Sequence, residues 1–361
     1  MNDYAYLVLQ NGRVFQGESF GARGDVTAEL VFTTSVVGYV ETLTDPSYHG
    51  QIVLQTFPLM GNYGIIREDF ESAKPFLSGY VVNDLCDNPS NFRCGGTLGD
   101  FLKENGIVGI KGVDTREITK IIRDYGVMNA AILTKLPKDL AAFCEELSKK
   151  ELSSDVYSVS ASEPFAVGEG GKKTVVIWDF GHKDAIANEL VANGCRVGVM
   201  PASSTAGEIA AQKPSGVVLS NGPGDPAACK KIIKEIKTLI ESKIPIMGIC
   251  LGHQLLALAM GGKTEKLKYG HRGANIPVKE TATGRLFITS QNHGYTVKRL
   301  PKGAHASFVN LNDGTNEGLE YENIPAISVQ FHPEAHGGPL DTEFLFGKLM
   351  KMMEGQNNAA L

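Results

Sequence analysis

Six cysteines in 361 residues, none in a CxxC pair, are too few and too scattered for a zinc ribbon or a disulfide scaffold. They stand at 86, 94, 144, 195, 229 and 250, and read as reduced thiols of a cytoplasmic protein. No apolar run approaches the ~20 residues that cross a bilayer, which excludes a helical membrane span. No Lys/Arg block breaks the balance of 35 basic against 40 acidic residues, so neither a nucleic-acid groove nor a membrane-binding face is expected. The start, Met1-Asn2-Asp3-Tyr4, has no basic segment leading into an apolar one, and no secretory signal is read there. What the chain does have is 42% hydrophobic residues and length for about two domains at ~150 residues each.

The Ser-rich, glycine-ended stretch 151–172 reads as a linker, dividing a domain over 1–150 from one over 173–361. The second domain alternates apolar runs with helical patterns. Strands are expected at 174–180, 196–200, 216–220 and 244–249. Between them lie a helix over 183–193 closed by Gly194, one opened by a Thr205/Glu208 capping box, and one with Ile232, Ile236 and Leu239 on a single face. An apolar helix over 251–260 follows the fourth strand at once. Shorter strands at 285–290 and 324–331 and a last helix over 342–353 complete it. This succession is that of a largely parallel, flavodoxin-like doubly wound α/β sheet. The first domain is expected to be mixed α/β, with strands at Tyr4–Leu9, 13–15 and 30–34 around a turn at Asn11-Gly12, and helices over 98–105 and 115–124.

The segment 246–254 ends a buried strand, turns one corner at Cys250 and starts a helix, with Gly248 and Gly252 two residues to either side. A nucleophile at such an elbow stands clear of the sheet at its carboxyl edge. The helix N-terminus stabilises a thiolate, and its orphan amides, that of Leu251 first, suit an oxyanion. A small core residue at a tight junction fits the same pattern. Acyl transfer needs a base and an orienter for it. His332 and Glu334 flank Pro333 in extended chain, so the two share one face; an incidental surface loop is the alternative. His253 falls on the helix flank, where packing is the expected role, and His293 is expected in a loop that lines a pocket. His49, His182, His271, His305 and His336 show no partner pattern. After the third strand, 220–226 alternates glycine and proline in a rigid turn suited to an oxyanion or carboxylate, or to a turn alone.

These three motifs in this order, Asn221-Gly222-Pro223-Gly224-Asp225-Pro226, Gly248-Ile249-Cys250-Leu251-Gly252-His253-Gln254 and His332-Pro333-Glu334, resemble the class I (triad) glutamine amidotransferases. Asp179-Phe180-Gly181-His182-Lys183, Gly270 to Asn275 and Gln291 to Tyr295 are similar to the small, glutamine-hydrolysing subunits of carbamoyl phosphate synthetases. So, in the first domain, are Phe32-Thr33-Thr34, Gly38-Tyr39, Leu43 to Tyr48, Gly61 to Gly64 and Gly112 to Arg116. The resemblance covers essentially the whole chain, with departures at Ile66, Ile276, His336 and Leu340.

The resemblance implies Cys250 as nucleophile, His332 as base and Glu334 as orienter. It implies Gly222 and Leu251 as backbone donors at the glutamine carbonyl, and Ser47, Gly224, Gln254, Asn292, Gly294 and Tyr295 at the substrate's polar ends. It also implies no metal or cofactor in this chain, and a heterodimer or higher oligomers with a large subunit. That subunit would use ATP, Mg²⁺ and bicarbonate and take up the ammonia for arginine or pyrimidine synthesis. Two rival readings are an inactive scaffold of the same fold, and a free-standing γ-glutamyl hydrolase or peptidase. The intact Cys250, His332 and Glu334 argue against the first, and the matched first domain against the second.

Overall fold

The computed structural model describes residues 4–150, 155–168, 170–335 and 337–359. The chain divides into two compact units, Met1–Ser154 and Asp155–Leu361.

The N-terminal unit carries strands β1 (Tyr4–Leu9), β2 (Val14–Gly21), β3 (Val26–Thr33), β4 (Gln51–Gln55), β5 (Leu59–Met60), β6 (Gly79–Val81), β7 (Asp84–Leu85), β8 (Val108–Lys111) and β9 (Met128–Leu133). Seven of them close a barrel in the order β1-β2-β8-β6-β4-β3-β9, sealed by the antiparallel pairing of β9 with β1. Pairing is parallel from β3 through β4 and β6 to β8 and antiparallel elsewhere. Leu7, Leu9, Leu30, Ile52, Leu54, Ile110 and Ile132 fill one core. Helices α1 (Tyr39–Thr44) and α2 (Leu98–Glu104) pack in a second cluster, α3 (Thr115–Tyr125) lays Ile118 and Ile122 on the first, and α4 (Leu140–Lys149) joins a third through Cys144. Asp114 caps α3 through the Glu117 N–H, and Thr97 caps α2 through the Asp100 N–H. Ile66 is buried here, so that departure from the family pattern is one of internal packing.

The C-terminal unit is built on a ten-stranded sheet. Its strands are β10 (Phe165–Val167), β11 (Lys173–Asp179), β12 (Cys195–Pro201), β13 (Gly216–Leu219), β14 (Ile246–Ile249), β15 (Lys263–Glu280), β16 (Leu286–Arg299), β17 (Ala304–Asn310), β18 (Asn316–Tyr321) and β19 (Ala326–Val329). Five central strands, in the order β12-β11-β13-β14-β19, are parallel. That is the flavodoxin-like order 2-1-3-4-5. Residues of β11 alternate between two cores. Val176 and Trp178 pack on the side of α6 (Ala206–Ala211), α7 (Lys230–Glu241) and α8 (Leu251–Ala259). Val175 and Ile177 pack on the side of α5 (Asp184–Ala192) and α9 (Phe344–Ala359). The strands are therefore apolar on both faces, as a doubly wound sheet requires.

Three differences from expectation concern this unit. The sheet continues past β19 through an antiparallel half, β18-β17-β15-β16, dominated by the long β15–β16 ribbon. Its register shifts at Lys266/His271 and Gly273/Ile276, and these irregularities break the alternation that marks a strand in sequence. His293 consequently lies in β16 and not in a loop. Secondly, Phe165–Val167, inside the expected linker, pairs antiparallel with β12 and covers that edge; residues 151–154 and 169 lie outside the described residues. Thirdly, Ile276 is buried within β15, again an internal departure, whereas Leu340 is exposed; His336 lies outside the described residues.

Candidate active site

Four strands of the parallel block deliver their carboxyl ends to one edge: β11 at Asp179-Phe180, β13 at Ser220, β14 at Cys250 and β19 at Gln330. Such an edge is where open α/β sheets present their chemistry. Cys250 makes the corner with φ 52° and ψ −102°, a conformation non-glycine residues rarely adopt. The surroundings over-determine it. The Cys250 N–H donates to Val329 O at 2.9 Å, and the Gly252 N–H to Ser220 O at 3.0 Å. A Cβ on Gly252 would sit 2.1 Å from Leu219 O, and one on Gly248 2.8 Å from Gly252 O. Only glycine lets these backbones meet.

The Cys250 side chain is buried, and Sγ donates to Asn292 O at 3.6 Å. His332, tied into the sheet by its N–H to Ser290 O (2.9 Å), puts Nδ1 2.6 Å from Glu334 Oε1. Its Nε2 has no hydrogen-bond partner and lies within interaction range of the Cys250 thiol. Burial and Lys183 both work against charge on His332, yet Glu334 and the thiol outweigh them and raise its pKa. Burial alone would raise Glu334; His332 and Lys183 hold it well below the usual carboxylate range. The structure thus sets the His332 ring on Glu334, as the spacing around Pro333 leads one to expect, at the sheet edge where Cys250 makes its corner.

The turn after β13 lies beside them. Ser220 Oγ accepts from the Phe180 N–H, and Asn221 bridges Gly181 O and the Lys183 N–H. A Cβ on Gly222 would lie 2.2 Å from Phe180 O, so here too backbone packs on backbone. Gly224 adopts φ 90° before Asp225, which caps the following turn. Leu251 heads α8, where first-turn amides have no intrahelical acceptor. Gln254 Nε2 donates to Tyr295 O (2.8 Å) and Gln330 Oε1 (2.9 Å), fixing α8 to β16 at the segment that holds Asn292, Gly294 and Tyr295. Ser47 belongs to the N-terminal unit, buried in a 46–48 turn with its N–H on Asp45.

Other residues differ from their sequence reading. His182, which shows no partner in sequence, is 2.9 Å from Asp179 Oδ1, and Asp179 also takes the Gly181, His182 and Ala161 N–H groups. His271 lies between Asp313 and Glu317. His253 is fully buried and bonded to Ser328 Oγ at 2.8 Å, a packing role as expected. Lys183, given no role from sequence, has its buried ammonium 3.6 Å from Glu334 Oε1. The available signal was its place, four residues past the end of β11 at the carboxyl edge. Among the described residues, His271, His293 and Glu317 form a group with ligand atoms within 4.8 Å of one another. No helix of the described residues is long and apolar enough to cross a membrane.

Residues 176–352 match the family "Glutamine amidotransferase class-I", and residues 7–132 match "Carbamoyl-phosphate synthase small chain, CPSase domain". The chain is 48% identical over 369 residues to the carbamoyl phosphate synthase small chain of Syntrophotalea carbinolica, covering 97% of this chain and 98% of that one. It is 46% identical over 349 residues to the pyrimidine-specific small chain of Bacillus subtilis, covering 96% and 95%. Against the small chain of Clostridium perfringens it is 47% identical over 349 residues, covering 96% and 99%.

Proposed function

This chain belongs to the carbamoyl phosphate synthase small chains and is the glutamine-hydrolysing subunit, and from that premise we propose that Cys250, His332 and Glu334 carry out the hydrolysis. The observation that supports this most is His332: one ring nitrogen on Glu334 at 2.6 Å, the other unpaired beside the thiol at the elbow.

The Cys250 thiolate attacks the side-chain amide carbon of glutamine. The N–H groups of Gly222 and Leu251 receive the developing oxyanion, an interaction worth ~3–4 kcal/mol per donor in comparable sites. The tetrahedral adduct collapses with loss of ammonia, whose departing nitrogen takes the His332 proton, and a Cys250 thioester remains. His332 then removes a proton from water, which attacks the thioester and releases glutamate and the free thiol. Glu334 holds the imidazole in place and offsets its charge. Gly224, Gln254, Asn292, Gly294 and Tyr295 hold the ends of the substrate.

No metal or organic cofactor is assigned to this half-reaction. As a small chain the protein associates with a large chain, where ATP, Mg²⁺ and bicarbonate are used and the ammonia is consumed. The likeness to the pyrimidine-specific chain of B. subtilis supports supply of pyrimidine synthesis. The unpaired cysteines suit a reducing compartment, and we place the chain in the cytoplasm, with one domain over residues 1–150 and a second that takes in 155–361, strand β10 included.

Glutaminase turnover of wild type and Cys250→Ser, each alone and with the cognate large chain, ATP and bicarbonate, tests the assignment. Wild-type activity should rise with the partner, and the variant should bind glutamine without hydrolysing it. Near-normal turnover by Cys250→Ser would remove Cys250 from the mechanism.

A further inference from the structure

Beside the strand that carries Asn292 is a histidine cluster that the hydrolysis above does not use. His271 on β15 stands opposite His293 on β16, and the two rings meet edge to face, centroids 4.9 Å apart at 83°. His271 Nε2 is 2.9 Å from Asp313 Oδ2, and Nδ1 is 3.3 Å from Glu317 Oε1. Glu317 is fully buried, and Asn310 Nδ2 donates to its Oε1 at 2.8 Å. His293 Nδ1 is 2.8 Å from Tyr295 O, and Nε2 is 3.0 Å from Gln291 Oε1, whose amide nitrogen donates to Thr289 Oγ1 at 3.1 Å. Between Gln291 and Tyr295 lies Asn292, whose carbonyl accepts from Cys250 Sγ.

We propose that His271 is a positioning residue of the glutamine site: clamped between Asp313 and Glu317 and set edge-on against His293, it fixes that ring and with it the 291–295 segment that meets Cys250. The proposal rests on the assignment of that site above.

A carboxylate is an acceptor only, so a histidine with one on each ring nitrogen carries both protons and a positive charge. Tyr295 O is a backbone carbonyl and cannot turn, so His293 keeps a proton on Nδ1. Its other nitrogen faces Gln291 Oε1, and the neutral ring calls for that amide to turn its nitrogen inward, away from Thr289 Oγ1. Burial opposes charge on His293, and the cations His271 and Arg272 on β15 and His332 beyond β19 add to that opposition. His271 itself is raised, because Glu317 and Asp313 outweigh its burial. A cation on one side of the ribbon thus keeps the facing ring neutral, bonded to Tyr295 O and out of conflict with His332. The same three side chains have the proximity of metal ligands, but every ring nitrogen already has an oxygen or amide partner, which favours the protonic reading.

The test is steady-state glutaminase kinetics of the complex with the large chain, combined with ring NMR of His293 in the selectively labelled full chain. His271→Asn should raise KM for glutamine about tenfold, the scale of one well-made hydrogen bond, and leave kcat within about twofold. The His293 ring signals should shift, and their titration midpoint should move up towards the ordinary histidine range. Asp313→Asn, a milder change at a half-exposed position, should produce the same effects in smaller measure and guards against misfolding of the first variant. Unchanged kinetics, a parallel fall of kcat and kcat/KM, or a KM change with unmoved His293 signals each overturns the proposal. So does stoichiometric zinc in the wild-type protein that His271→Asn loses. Full activity of Cys250→Ser would sink the site assignment instead, and the His293 signals would still report on the cluster.

Discussion

Lys183 Nζ and His332 Nδ1 approach the same oxygen, Oε1 of Glu334, at 3.6 and 2.6 Å, while Oε2 has no hydrogen-bond partner. All three side chains are buried. Two cations therefore compete for one carboxylate in a place where water screens little, and each disfavours the other.

Lys183→Met should let His332 hold its proton to higher pH, since the ammonium beside it opposes the imidazolium. The descending limb of kcat/KM against pH should then move upward, because acylation draws on the imidazolium proton that ammonia takes as it leaves. A superimposable profile would show that the ammonium does not act on His332.

Gly252→Ala should destabilise the C-terminal unit by about 3 kcal/mol or more, at the upper end for overpacked cores. Its Cβ would overlap Leu219 O, a backbone atom of β13 that cannot step aside. Denaturant unfolding reads the loss. A decrease below about 1 kcal/mol would mean that α8 slides on the sheet more freely than this contact allows.

His253 is held by burial at a pKa of about 3 against 6.5 for an ordinary histidine. Its neutral form is the one that folds. The stability it contributes is fully present above pH 6.5 and is lost as pH falls towards 3, at up to about 1.4 kcal/mol per pH unit. Unfolding free energies of wild type and His253→Gln, compared at pH 6.5 and 5, should diverge in slope by about 2 kcal/mol over that interval. Parallel curves would show that His253 takes up no more protons unfolded than folded.

Thr205→Ala should lower stability by ~1 kcal/mol, the usual value of an N-cap. The reciprocal bonds of Thr205 and Glu208 are both formed. Thermal unfolding measures it, and an unchanged midpoint would show that α6 is held by packing alone.

The features legible in the sequence are local ones. The Thr205/Glu208 box, Gly194 closing α5, the elbow at Cys250 and the shared face of His332 and Glu334 each depend on residues within a few positions of one another. The barrel was hidden because its closing pair, β1 with β9, joins segments some 120 residues apart that look like any other strands. The β15–β16 ribbon was hidden by its bulges, and with it the neighbourhood of His271, whose carboxylate partners arrive from Asp313 and Glu317 beyond β17. Lys183 and Glu334 meet for the same kind of reason. Each lies at the carboxyl end of a strand, and only the sheet order makes those ends neighbours.

The elbow is held by main chain against main chain: Gly248 on Gly252, Gly252 on Leu219, Gly222 on Phe180. Protein engineering inherits a clear division of labour from this. Residues 248–252 and Gly222 admit one shape and leave no room for retuning, whereas β16 meets the thiol through the Asn292 carbonyl, a contact that does not depend on which side chain stands there. A redesign towards another amide substrate would keep the elbow untouched and vary the lining, because the thiol stays in place whatever is built around it.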